Sequence, residues 1–298
     1  MKYAFILNPA AGKGRDPSFF IDQIEQFCSE RKLDHVLWQT ERPGHGKILA
    51  EQALKNGFGC IVAIGGDGTI NEIARVLLHT KVPLGIIPKG SGNGFAREFS
   101  IPLDIKEACQ TLIDAKPLAI DVGKINEEYF FNMAGLGFDA NVGYLYNQAQ
   151  KGGRRGKLPY FTIGLKEYFS YAPQMITLSY DKTELRLAPL LVAIANCKQY
   201  GSGAMIAPKA IVNDGLLHLV IIRQAPWYQL LWRLPKVFNG TFDKAPFLQT
   251  ILTKEVRITF NKEMPYHIDG EIRFGGTKLT AQIETKALVL NVPKSYQP

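Results

Sequence analysis

Cys60–Ile64 is an unbroken apolar run that leads directly into Gly65-Gly66-Asp67-Gly68-Thr69, and this junction constrains the fold more than any other segment. A short apolar run without alternation suits a strand buried on both faces. Just beyond the glycines, Ile70, Ile73, Ala74, Leu77 and Leu78 recur at i, i+3, i+4, i+7 and i+8, which is one face of a helix. A buried strand, a glycine turn and an amphipathic helix together make one βα unit of a parallel sheet.

The first third of the chain repeats that unit. Tyr3–Leu7 reads as a strand, and Phe20, Ile24, Phe27 and Cys28 follow at helical spacing. His35–Thr40 and Gly46–Asn56 form the next strand and helix, and Leu84–Ile87 and Ile105–Ile113 the last. After about Leu118 the texture changes. Val122–Ile125, Tyr129–Met133, Ile176–Tyr180, Leu190–Ala195, Leu216–Ile222, Val256–Phe260, Tyr266–Ile268, Leu279–Glu284 and Ala287–Val292 all read as strands. Helices are expected only at Asp139–Gln150, Pro159–Tyr171 and Pro226–Phe238. The expected architecture is therefore a Rossmann-like α/β domain over 1–120 and an antiparallel β-sandwich over 121–298. The last strand is free to return to the first domain, and the cleft between domains is the expected ligand site.

Composition narrows the function. With 46% apolar and 21% charged residues, the chain is globular, and no stretch approaches the roughly 20 apolar residues of a membrane helix. Met1–Leu7 lacks the charged start and cleavage pattern of a signal peptide and reads as a strand. Four scattered cysteines (28, 60, 109 and 197) form no CxxC, and the five histidines form no HxxxH pair. Neither a zinc site nor a disulfide framework is indicated, and a reducing cytoplasm is the natural compartment. The net charge of +8 favours anionic partners, and its densest run is Lys151–Lys157. That run is either a solvated loop or a contact for anionic headgroups. No recognised nucleic-acid motif accompanies the charge.

Glycines at the start of a helix let backbone N–H groups approach phosphates, and the helix dipole adds to the attraction. Thr69 adds a hydroxyl. Asp67 would repel bare phosphate and makes sense with a divalent cation between them, although a simple helix cap is the alternative. Asn8-Pro9-Ala10-Ala11-Gly12-Lys13-Gly14, Thr40 and Pro88-Lys89-Gly90-Ser91-Gly92-Asn93-Gly94 end three other strands at the same sheet edge. Ligands of open parallel sheets bind at that edge. There is no GxxxxGK[ST], so the chain is not a P-loop NTPase. Gly135-Leu-Gly137-Phe-Asp-Ala140 matches GxGxxA but falls in the strand-rich half without a following acid, and reads as a tight turn.

From Asn8-Pro9 through Gly65–Thr69 to Asp269-Gly270-Glu271, the chain resembles the diacylglycerol kinase catalytic-domain family of lipid kinases, which includes sphingosine and ceramide kinases. NAD kinases share GGDGT more distantly. The resemblance implies ATP and Mg²⁺ as cofactors and a membrane lipid as acceptor. By motif, Asn8, Pro9, Gly12, Thr40, Gly65, Gly66, Asp67, Gly68, Thr69, Asn71 and Ser91 would line ATP. Ser91 stands where the family more often has threonine, nearer the sphingosine kinase version. The segment Ala207–Leu216 resembles a structural magnesium loop, with Asp214 and the carbonyls of Ile211 and Leu216 as ligands; without the family, Asn213-Asp214-Gly215 is simply a turn. Asp269 and Glu271 would be the catalytic acids, with Glu271 favoured as base, and Asp121 would join Asp67 in the magnesium network. Read alone, Asp269-Gly270 is a hairpin signal.

The implied reaction is transfer of the γ-phosphoryl group of ATP to a lipid hydroxyl by a peripheral membrane enzyme, with a homodimer left open. Trp227, Tyr228, Leu230, Leu231 and Trp232, followed by Arg233 and Lys236, could dip into a membrane interface, although such a stretch is more often core. A kinase of a soluble substrate such as NAD, and a nucleotide-responsive binding protein without catalysis, are the other readings.

Overall fold

The computed structural model describes residues 1–12, 16–151, 157–201 and 203–298. Lys13 and Gly14, and the interior of the basic run between Lys151 and Lys157, lie outside the described residues. The chain divides into two units, Met1–Val122 with Thr285–Pro298, and Gly123–Tyr200 with Ala204–Glu284.

In the first unit β1 (Lys2–Leu7), β2 (Asp34–Gln39), β3 (Cys60–Gly65) and β4 (Leu84–Pro88) form a parallel sheet ordered β2-β1-β3-β4. Both faces are covered, which is why β1, β3 and β4 are apolar at almost every position. α1 (Pro17–Glu30) and α5 (Ile105–Asp114) pack on one face, their Phe20, Ile24 and Leu112 meeting Phe5, Val62 and Ile64. α2 (His45–Lys55) packs against α3 (Asp67–Leu77), whose buried stripe is Ile70, Ile73, Ala74 and Leu77. Asp104 caps α5 through the N–H groups of Lys106 and Glu107, and Asp16 caps α1 through that of Ser18. A short helix missed in the sequence, α4 (Gly94–Glu98), follows the glycine-rich turn after β4.

The second unit is an antiparallel sandwich. Before it come β5 (Lys116–Ile125), which crosses from the first unit, and β6 (Glu128–Phe130). These are followed by β7 (Met133–Gly137), α6 (Phe138–Lys151), α7 (Lys157–Ser170), β8 (Ile176–Tyr180), β9 (Thr183–Leu187) and β10 (Leu191–Ala195). A small ribbon, β11 (Gln199–Gly201) with β12 (Ala204–Met205), precedes β13 (Leu217–Ile222) and α8 (Trp227–Phe238). The chain closes with β14 (Leu248–Thr253), β15 (Glu255–Phe260), β16 (Tyr266–Ile268), β17 (Glu271–Arg273) and β18 (Lys278–Val292). One sheet runs β14-β13-β10-β7-β16-β17, and β9-β8-β15 with the first part of β18 make the other. Leu136, Val192, Ile194 and Leu219 of the first sheet meet Leu178, Val256, Ile258 and Leu279 of the second in one core.

Three sequence expectations are corrected by the fold. Tyr129–Met133 is not one strand: β6 ends at Phe130 and β7 begins at Met133, with the break held by a carboxylate from β16's end. The GxGxxA stretch is not a tight turn either, because Gly135 and Gly137 lie within β7, at the middle of the six-stranded sheet. Leu279–Glu284 and Ala287–Val292 are likewise halves of one strand. Lys286, at φ +52°, marks the kink between them, and Leu290 then pairs with Leu84 of β4 in the first unit.

Candidate functional site

Backbone bonds that extend the ladder past the strand ends bring the four turns of the first unit together. Asn8 N–H donates to the Ile64 carbonyl at 2.9 Å, Thr40 N–H to Leu7 at 2.8 Å, and Lys89 N–H to Gly65 at 2.8 Å. The pocket so formed has a volume of about 550 Å³, within the range of small-molecule sites. Of the residues expected at nucleotide, Asn8, Pro9, Gly12, Thr40, Gly66, Asp67, Gly68, Thr69 and Ser91 line it. Gly65 and Asn71 do not. Gly65 ends β3, and the carboxamide oxygen of Asn71 accepts from Arg75 Nε at 2.6 Å.

The glycines have specific reasons to be there. A Cβ on Gly90 would lie 2.5 Å from Gly66 Cα, so these two turns touch backbone to backbone. A Cβ on Gly65 would strike the Thr69 side chain at 2.6 Å. Gly68, in contrast, faces open space. Asn8 Nδ2 donates to Thr69 Oγ1 at 2.9 Å and its Oδ1 accepts from Ala10 N–H at 3.0 Å, which ties the first turn to the third.

Asp67 is the one surprise among these residues. Its Oδ2 accepts from Gly94 N–H at 3.1 Å and its Oδ1 from Phe95 N–H at 3.0 Å, so it caps α4 while facing the pocket. Each carboxylate oxygen keeps a further lone pair for a donor or a cation. Sequence reading passed over three residues. Glu72 accepts from the N–H groups of Gly44 and Gly46, capping α2 at the pocket wall. Arg42 is the basic side chain among the described lining residues. Lys89 is fully buried, and its Nζ donates to the carbonyls of Pro9, at 3.1 Å, and Ala11. A lysine inside a glycine-rich strand end was the available signal for the last. Asp121 does not line the pocket. It is buried, and its Oδ1 accepts from Lys286 N–H at 2.7 Å.

In the second unit, Asp269 sits at φ +47° in the β16–β17 turn. Its Oδ1 accepts from the N–H groups of Asn132, at 2.9 Å, and Met133, at 3.0 Å, and its Oδ2 from that of Phe131, at 2.9 Å. Burial pushes its carboxyl above the ordinary range, opposed by those three bonds and by nearby His267. Glu271 is exposed and shares Oε2 with Arg273 at 2.9 Å, while Arg273 also forks onto Glu128.

Asp214 Oδ1 accepts from Leu216 N–H at 2.9 Å, and Oδ2 lies 3.8 Å from Nε2 of buried His218. Burial holds that imidazole's pKa low, against the pull of Asp214. Ile211 and Asp214 line a hollow of about 400 Å³; Leu216 does not. Among the described residues no three His, Cys, Asp or Glu stand together as a metal cluster. A cation here or at Asp67 would therefore take single carboxylates, backbone oxygens and water, which is chemistry suited to a hard ion.

The comparisons agree with this geometry. Residues 2–125 match the diacylglycerol kinase catalytic domain, and residues 132–292 the YegS C-terminal NAD kinase beta sandwich-like domain. A Chromohalobacter salexigens protein named probable lipid kinase YegS-like is 30% identical over 87% of this chain and 83% of its own length. A diacylglycerol kinase of Staphylococcus haemolyticus is 31% identical over 91% of this chain and 82% of its own. The crystal structure of a diacylglycerol kinase from Bacillus anthracis superposes with a TM-score of 0.77 at 19% identity, covering 99% of this chain and 98% of that one. The chain belongs to the diacylglycerol kinase family of lipid kinases, enzymes that phosphorylate an alcohol group.

Proposed function

We propose that this kinase transfers the γ-phosphoryl group of ATP to the hydroxyl of diacylglycerol or a related lipid, with Mg²⁺, at a membrane surface. The observation that carries the proposal is the convergence of four strand-end turns on one pocket that contains Asp67 and Arg42. Backbone donors of the Gly66–Thr69 and Gly90–Gly92 turns hold phosphate oxygens, and Asn8, Thr40 and Thr69 orient the nucleotide. Asp67, through a free lone pair on either oxygen, is the residue to hold a catalytic Mg²⁺; Asp214, with the Ile211 and Leu216 carbonyls, is the candidate for a structural one. When bound, the catalytic ion offsets charge on the β- and γ-phosphates. Asp121 takes part by fixing backbone at Lys286.

Glu271 accepts the proton of the attacking hydroxyl. Its exposure supports this role, as does the commitment of both Asp269 oxygens to backbone N–H groups. Asp269 is then the residue that shapes the turn on which Glu271 stands.

Membrane contact is supported by α8. The expectation that this stretch is core does not hold, since none of its residues is buried. Trp232 is 79% exposed, and Trp227, Tyr228, Leu231 and Phe238 are more than half exposed. Aromatic and aliphatic side chains beside Arg233 and Lys236 suit an interface with anionic headgroups. Among the described residues no helix is long and apolar enough to cross a membrane.

The test is an assay with Mg²⁺ and ATP that offers lipid in micelles or NAD in solution. Lipid phosphate with no NADP supports the proposal; NADP formed without lipid assigns the chain to soluble-substrate kinases. Asp67→Asn should abolish transfer.

A further inference from the structure

β17, the three-residue strand that carries Glu271, is the outermost strand of its sheet, and its ladder bonds run to β16. An edge strand is held by its ladder on one side only. Packing fixes one face of it. A Cβ on Gly143 of α6 would lie 2.9 Å from Ile272 Cδ1, and the ring of Phe274 stands edge-on to that of Tyr144 with centroids 5.4 Å apart. Side chains alternate along a strand, so Glu271 and Arg273 share the opposite face.

On that face Arg273 ties β17 to a strand of the other sheet. Its Nε donates to Glu128 Oε1 at 3.0 Å and its Nη2 to Glu128 Oε2 at 3.1 Å, a two-point fork that fixes the plane of the guanidinium. Glu128 belongs to β6, which pairs with β5. The same Nη2 donates to Glu271 Oε2 at 2.9 Å, and Nη1 donates to the Ile272 carbonyl at 3.2 Å. The side chains of Arg273 and Glu128 are 31% and 35% exposed, and that of Glu271 is 67% exposed. An ion pair as exposed as Arg273–Glu271 adds little to stability. Its effect lies in geometry: a surface glutamate samples several rotamers, and one held by an anchored guanidinium does not.

We propose that Arg273 is the positioning residue for Glu271, with Glu128 as its anchor. The inference rests on the reading of Glu271 as the proton acceptor. The fork onto Glu128 sets the guanidinium, Nη2 then fixes Oε2 of Glu271, and Oε1 is left to take the proton. The acceptor's O–H bond breaks toward Oε1 as its oxygen bonds to the γ-phosphorus and ADP leaves. Arg273 touches no reacting atom in this scheme, since it spends its donors on Glu128, Glu271 and the Ile272 carbonyl. Displacing a reacting group by about 1 Å costs up to about 100-fold in rate, so the loss of Arg273 is read in turnover.

Steady-state kinetics with Mg-ATP and diacylglycerol in mixed micelles tests this. Arg273→Gln should lower kcat at least about tenfold while KM for ATP and for lipid stays within about twofold. Its melting temperature should fall by a few degrees at most, because a merely structural tie would act there instead. Glu128→Gln should lower kcat as well. Combined with Arg273→Gln it should fall no further than Arg273→Gln alone, within about twofold, because Glu128 acts through the guanidinium. Arg273→Lys keeps the charge without the fork and should recover part of the lost kcat. Wild-type kcat in Arg273→Gln, a loss carried by KM, or losses that multiply in the double variant would each overturn the proposal. Glu271→Gln assayed alongside separates the two readings. Transfer lost there but intact in Arg273→Gln removes the positioning role and keeps the base, and transfer retained in Glu271→Gln removes both.

Discussion

Lys89, just past the end of β4, donates from Nζ to the carbonyl of Pro9, 3.1 Å away and 80 residues earlier in the chain. With its second bond to Ala11, the ammonium fastens the first turn of the sheet edge to the fourth. A lysine in a phosphate site would ordinarily be assigned to the phosphates. This one is fully buried and spends its donors on backbone.

Lys89→Met should therefore act on the fold before it acts on the nucleotide. Removing the donor strands two carbonyls, at about 1–3 kcal/mol. The variant should melt several degrees lower without ATP, and its ATP-dependent stabilisation should shrink as the Pro9–Ala11 turn loosens. Thermal denaturation with and without Mg-ATP measures both.

Two glycines of the same pocket should behave oppositely. Gly90→Ala puts a methyl 2.5 Å from Gly66 Cα and must push the turns apart, destabilising the protein by about 1–3 kcal/mol. Gly68→Ala meets nothing within 4 Å and should stay within about 0.5 kcal/mol of wild type. Denaturant unfolding of the pair checks whether the close approach is real.

How much of this was legible in the sequence follows the range of the interactions. The βα units were readable because periodicity and glycine placement are local. Lys89 and Glu72 were not, because each acts on backbone that periodicity does not bring near: Glu72 caps a helix 26–28 residues away. The GxGxxA stretch misled for a similar reason. Gly135 is a glycine to clear space for His267, which lies far along the chain, not to turn the backbone. α8 carried an aromatic, apolar signature that composition assigns to core, and only the fold shows that its outer face is uncovered.

The acid pair should split under conservative substitution. Asp269→Asn keeps the left-handed backbone, which Asn tolerates, but turns an amide donor toward Phe131 N–H. It should destabilise by about 1–3 kcal/mol. Glu271→Gln is on the surface and should leave the melting temperature unchanged while removing transfer. Calorimetry beside a kinase assay distinguishes the two roles.

Alkaline pH should weaken the fold through its thiols. Burial pushes Cys28 up to about 11, and Cys60 and Cys109 up to about 12. Between the ordinary thiol value and these, the folded chain binds more protons than the unfolded one, so stability falls as pH rises. The melting temperature should hold near pH 7 and decline steadily above about pH 9. Iodoacetamide should label none of these three cysteines in the native protein at pH 7.5, and all of them in denaturant.

The most direct measurement of the central claim follows the label itself. The protein is incubated with Mg²⁺, ATP labelled in its γ-phosphoryl group, and mixed micelles holding diacylglycerol, monoacylglycerol, sphingosine and ceramide. The account predicts label in at least one of these lipids from the wild type and in none from Glu271→Gln at unchanged stability. A folded, ATP-binding wild type that labels none of the four lipids would contradict it.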